Sequence, residues 1–136
     1  MREATVSRFV RAPIVSVERA LTPERIVEYE ETFSVLDVTE SAEGARVVAG
    51  ARGLEIVLQF EDRGDGWHYR QEGDAGPFDE METTVTWRRE NEGVRVTMQS
   101  AVSLGLFPRS LTDHVAAWKR EAELERALSN LATAVE

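Results

Sequence analysis

The sequence predicts an α+β fold: a strongly curved antiparallel sheet of six to seven strands wrapped around one long C-terminal helix, with two short helices after the first strand. Three observations carry that prediction. From Phe33 to Leu104, apolar residues recur mostly at every second position between closely spaced turn signals. That is the pattern of half-buried strands, and their connections are too short for parallel crossovers. From Ser110 onward apolar residues recur at intervals of three and four, the spacing of a helix face. The length of 136 residues fits one domain spanning the whole chain. At this size folding buries about two-thirds of the unfolded surface, so no metal or disulfide staple is required.

The elements follow in order. Thr5 to Val10 is rich in β-formers and reads as a first strand. Ala12-Pro13 ends it, and Ile14, Val17 and Leu21 share one face of a short helix. Thr22-Pro23-Glu24 starts a second helix, with a hydroxyl cap, a proline in the first turn and a carboxylate at the positive helix end. Ile26, Tyr29 and Val27 are expected to face inward from it. Strands are then expected at Phe33–Val38 and Arg46–Ala49, and at Leu54, Ile56, Leu58 and Phe60, whose strict alternation defines an inner face. Trp67, Tyr69 and Gln71 alternate with His68, Arg70 and Glu72 after the turn at Gly64-Asp65-Gly66. Beyond a loop at residues 73–77, Met81, Thr83, Val85 and Trp87 face inward. A tight connection at Asn91-Glu92-Gly93 leads to the last strand, with Val94, Val96, Met98, Ser100 and Val102 on its inner face. Ser110 to Asp113 reads as a variant capping box. The stripe Leu111, Val115, Trp118, Ala122, Leu124, Leu128, Leu131 and Val135 is expected to lie on the sheet, with Asp113, Lys119, Arg120, Glu123 and Arg126 on the other side.

Composition excludes several classes of function. There is no cysteine, hence no disulfide framework, thiolate metal site or thiol nucleophile. The net charge of −9 repels phosphate backbones, and no basic cluster offsets it, so nucleic acid is not an expected partner. No run of about 20 apolar residues is present, and the first ten residues lack a signal-peptide core. A cytoplasmic protein without integral membrane association is expected. Lys119 is the only lysine. High-GC codon usage explains that, and so does adaptation to concentrated salt, where an acidic surface stays hydrated; stability rising steadily to molar KCl distinguishes the second.

The order of elements resembles the START-like superfamily, also called SRPBCC, and within it the polyketide cyclase/dehydrase-like group of small domains. The resemblance rests on Val10-Arg11-Ala12-Pro13-Ile14 with Val17 and Leu21, on Thr22-Pro23-Glu24, on Gly93-Val94-Arg95-Val96 and on the terminal amphipathic helix. It spans essentially the whole chain, through layout and weak motifs. It implies the helix-grip fold and a cavity between sheet and long helix, which relatives use for lipids, sterols and polyketides. Some relatives are aromatases or cyclases.

The candidate site residues are those assigned to the interior. Trp67, Tyr69, Met81, Trp87, Met98 and Trp118 would form apolar walls with adaptable thioethers; ordinary core packing is the alternative for each. Leu111 and Val115 would add to the helix side of the cavity. Tyr29, Tyr69, Ser100 and His114 are the polar candidates for orienting a ligand, although buried hydroxyls also find backbone carbonyls or water. Arg109, near the expected mouth, would meet a carboxylate. No zinc spacing, GxSxG elbow or phosphate loop is present, so no catalytic residue, metal or cofactor is assigned. Three readings follow: a carrier or sensor of a hydrophobic small molecule, a cyclase-type enzyme using Tyr69, His114 or Arg109, and an interaction module with a filled core. A monomer and a homodimer both fit, with Leu106 and Phe107 as a contact patch in the second case. Polar groups converging within about 3 Å of one point favour the enzyme; a cavity below about 300 Å³ favours the interaction module.

Overall fold

The computed structural model describes residues 1–73, 78–105 and 109–136, with the backbone alone at Arg109 and Ser110. Residues 74–77 of the expected loop at 73–77, the Leu106–Phe107 patch and the side chain of Arg109 lie outside the described residues.

The elements are β1 (Arg2–Val10), α1 (Ile14–Ala20), α2 (Pro23–Glu30), β2 (Ser34–Glu40), β3 (Gly44–Ala51), β4 (Leu54–Asp62), β5 (Gly66–Glu72), β6 (Glu80–Glu90), β7 (Gly93–Ser103) and α3 (Arg109–Val135). They form one antiparallel seven-stranded sheet in the order β1-β7-β6-β5-β4-β3-β2. β1 and β2 are therefore opposite edges, and α1 and α2 carry the chain from one edge to the other, both packing on α3. The curved sheet closes over α3, whose Leu124, Leu128 and Leu131 are buried with Val10, Val94, Val96, Met98 and Val102. Each such side chain taken out of water contributes about 1.5–3 kcal/mol.

Local chemistry accounts for the boundaries. The Thr22 side chain accepts a hydrogen bond from Arg25 N at 3.2 Å and caps α2, as its hydroxyl predicts. In the β4–β5 turn the chain must pass close to a neighbour: a Cβ on Gly66 would stand 1.9 Å from the Val85 carbonyl oxygen. On β2 the register shifts between Val35 and Asp37, so Leu36 is 56% exposed and its side chain lies over Gly50.

Most inward phases of β4 to β7 are as the alternation predicts. Leu54, at the start of β4, is the exception and is 50% exposed. On β3, Val48, between buried Val47 and Ala49, is only partly covered.

The larger correction concerns α3. Leu111, Val115 and Trp118 are 63%, 50% and 73% exposed, while Asp113, Ala116, Ala117, Arg120 and Glu123 face the sheet. The expected stripe is two stripes. Within each, residues step by three or four, but Ala122 to Leu124 is a step of two, about 200° around the helix. Counting back from Leu124 by four, seven, eight and eleven gives Arg120, Ala117, Ala116 and Asp113. The helix is also already running at Ser110, where the capping box was expected to start it, and Asp113 turns inward and accepts from Ser103 Oγ at 2.8 Å.

Candidate functional site

Strand register builds the floor of the site. Tyr69 is opposite Thr83, and Thr83 is opposite Ser100, so three hydroxyls form one row across β5, β6 and β7 on the concave face. Phe60 stands opposite Tyr69 and stacks on it with centroids 4.4 Å apart. Opposite this row, α3 presents Arg120 and Glu123.

α2 supplies the third wall, and its C-terminus is held by α3. Arg126 Nε donates to the Glu30 carbonyl at 2.9 Å, and Asn130 Nδ2 donates to the Tyr29 carbonyl at 2.8 Å. These bonds satisfy carbonyls that the helix itself leaves without partners. Glu31 follows with φ of 60°, ending the helix. The anchored terminus directs the Glu30 carboxylate into the interior.

The result is a buried polar cluster around Arg120, which is 2% exposed. Its Nε donates to Ser100 Oγ at 3.1 Å. Nη1 donates to Glu30 Oε1 and, at 3.2 Å, to Glu123 Oε1. Nη2 donates to the Tyr69 hydroxyl at 2.8 Å and to Thr83 Oγ1 at 2.9 Å. Every N–H of the guanidinium is thereby committed. The Tyr69 hydroxyl donates to Glu30 Oε2 at 2.7 Å, and Thr32 Oγ1 donates to Glu123 Oε2 at 2.7 Å. Burial is the largest single influence on Arg120 and works against its charge, but Glu30, Tyr69 and Glu123 together outweigh it and hold the guanidinium's pKa above its ordinary value. Burial pushes the Tyr69 hydroxyl well above the usual tyrosine range, so it stays a donor at neutral pH.

Beside this cluster is an interior cavity of about 30 Å³, room for a water or one small group. Val27, Phe33, Ile56, Leu58, Phe78 and Met81 form its apolar walls, and Glu30, Thr32, Gln71, Arg120 and Glu123 its polar ones. Thr32, Phe33 and Glu123 also line an open groove of about 430 Å³ on the outer side. That groove runs between Trp118 and Ala122 on α3 and Ala51, Arg52 and Leu54 at the β3–β4 turn. Among the described residues no group of three or more side chains is arranged to hold a metal ion.

Of the residues expected to line the site, Met81 borders the cavity, and Tyr69 and Ser100 belong to the polar cluster. Trp118 lines the groove from outside rather than the cavity from within. Met98 is core, 2% exposed. Tyr29, Trp67 and Trp87 are half-buried against the edge of the core, and Trp67 Nε1 donates to the Leu21 carbonyl at 2.8 Å. Leu111, His114 and Val115 face outward, because the helix phase around them is reversed. Sequence reasoning missed Glu30, Thr32, Arg120 and Glu123. The signal for Arg120 was present: a charged residue four positions before Leu124, in phase with the core stripe.

No family model and no curated protein matches the sequence. Solved structures do match it along nearly the whole length. XoxI from Bacillus cereus superposes with a TM-score of 0.76 at 15% identity, covering 99% of this chain and 96% of that one. The fold is the helix-grip fold. TTHA0849 from Thermus thermophilus matches with a TM-score of 0.67 at 24% identity, covering 99% of this chain and 100% of that one. Ara h 8.0201 matches at 0.59 and 9% identity, covering 97% of this chain and 98% of that one. At such identities the helix-grip likeness is one of architecture, and activity has to be argued from the site itself.

Proposed function

We propose that this chain is a single START-like (SRPBCC) domain that carries or senses a small molecule with an apolar body, lipid- or polyketide-like, and one polar end. The body lies in the groove against Phe33, Leu54, Trp118 and Ala122, and the polar end passes Thr32 and Glu123 toward the Arg120 cluster. One observation carries this reading: a groove of about 430 Å³, within the range of roughly 300–1,000 Å³ usual for ligand sites, shares three wall residues with a cavity that backs onto buried charge. The cavity alone, at about 30 Å³, is too small for such a molecule.

A cyclase-type activity is less well supported. Tyr69, Thr83, Ser100 and Glu30 do converge, but the point they share is filled by the Arg120 guanidinium. His114 faces away from the interior. The reading as an interaction module has two observations in its favour: the cavity between sheet and helix, at about 30 Å³, falls below the roughly 300 Å³ usual for a ligand site, and Leu111, Val115 and Trp118 form an outward stripe.

Native mass spectrometry of protein purified without detergent tests the proposal. The expected result is an added mass that denaturing extraction releases as a small molecule. A clean apo mass, together with no thermal shift from fatty acids, sterols or aromatic polyketides, would overturn the proposal in favour of partner binding.

A further inference from the structure

The cavity beside Arg120 has an imbalance of hydrogen-bonding groups. Its one cation among the described residues, Arg120, has no N–H left to give. Its acceptors, by contrast, have capacity to spare. The carboxylates of Glu30 and Glu123 each accept two bonds, and an ionised carboxylate offers about four lone-pair sites. Gln71 also lines the cavity, and its Oε1 is the one buried side-chain nitrogen or oxygen without a partner among the described residues. Its orientation is set by the network, since Nε2 donates to the carbonyls of Phe78 at 2.8 Å and Gly73 at 3.1 Å. Leaving such an acceptor buried and unpaired costs about 1–3 kcal/mol. Two carboxylates against one guanidinium also leave the cluster one formal negative charge in excess.

We infer that the group this cavity takes is a compact hydrogen-bond donor, a protonated primary amine in preference to an alcohol or a carboxylate. The inference rests on the ligand site proposed above and adds the chemistry of its inner end. An ammonium group is about the size of a water and fits a space of about 30 Å³. It brings three donors and no acceptor to a pocket with spare acceptors, and it neutralises the excess charge. A carboxylate would meet Glu30 and Glu123 with no free N–H to receive it. Arg52, Lys119 and Arg126 line the groove outside, but they are exposed, and water and salt screen them.

Calorimetric titration with octylamine, octanol and octanoate at 0.5 M salt tests this, because the high salt removes the general attraction of a −9 protein for cations. The expected result is octylamine binding at least about tenfold tighter than octanoate and tighter than octanol. Gln71→Met and Glu123→Gln should each reduce that preference several-fold while octanoate affinity stays level or rises. Equal binding of all three, or tighter octanoate, would overturn the inference and leave the ligand site standing, with the charge then on the groove's cations. A preference for octylamine that neither variant alters would overturn the placement in the cavity. No binding of any probe would overturn the ligand site as well.

Discussion

The two halves of α3 face the same sheet with opposite chemistry. In the C-terminal half, Leu124, Ala127, Leu128, Leu131 and Ala132 are buried. In the N-terminal half, Asp113, Ala116, Ala117, Arg120 and Glu123 take the equivalent positions, and the large apolar residues Leu111, Val115 and Trp118 are turned to solvent. The first half is core in the ordinary sense, stabilised by area removed from water. The second buries charges whose desolvation costs several kcal/mol each, offset only by complete hydrogen bonding. A region that departs from the core pattern while the rest of the same helix obeys it is where a site is expected.

The largest effect should come from cutting the cluster at its centre. Arg120→Met leaves Glu30 and Glu123 buried without their cation and should cost about 3–5 kcal/mol in urea unfolding. Leu131→Ala, a cavity in the apolar half, should cost about 3 kcal/mol. The triple change Arg120→Met, Glu30→Leu, Glu123→Leu sharpens the contrast. It should recover most of the loss from Arg120→Met while abolishing ligand binding, since apolar replacement of a buried ion group is often near neutral. If the triple variant is no more stable than Arg120→Met, the cluster is structural and the contrast between the halves fails.

Asp113 gives a smaller, pH-dependent effect. The Ser103 hydroxyl donates to its carboxylate and holds it below the ordinary aspartate value. A carboxyl depressed in the folded state adds stability that is fully present above its unfolded pKa, about 3.9, and is lost as pH falls through its folded value. Unfolding measured from pH 5 down to pH 2 should therefore show a steeper loss in the wild type than in Asp113→Asn. Parallel curves would show that the Asp113 carboxylate adds no such stability. Smallest of all, Trp118→Ala should change stability by less than about 0.5 kcal/mol, because the side chain is 73% exposed, yet it should weaken binding in the groove.

Much of the fold was legible because strand alternation and turn spacing are local. Met81, Thr83 and Val85 on one strand and Val94 to Val102 on the next gave an inner face without knowledge of their neighbours. The helix caps at Thr22 and Pro23 were legible for the same reason. The site was less so. Tyr69 and Ser100 were in phase with the interior, but their partners come from α2 and α3, and charged residues in a helix read as solvent-facing by default. Arg120 reads as outward when the longer apolar series beginning at Leu111 is carried through the step from Ala122 to Leu124. Glu30 could not be found from its own segment, since its inward turn depends on Arg126 and Asn130 holding the end of α2.

NMR of the three tryptophan indoles during titration with octylamine and with octanol tests most directly whether the groove and the Arg120 cavity form one ligand site. A single site predicts saturable shifts for the Trp118 indole and for the amides of Thr32, Phe33 and Glu123. The Trp67 indole, bonded to the Leu21 carbonyl, and the Trp87 indole should stay in place. An unmoved Trp118 with both probes, or shifts centred on Trp67 and Trp87, would contradict it.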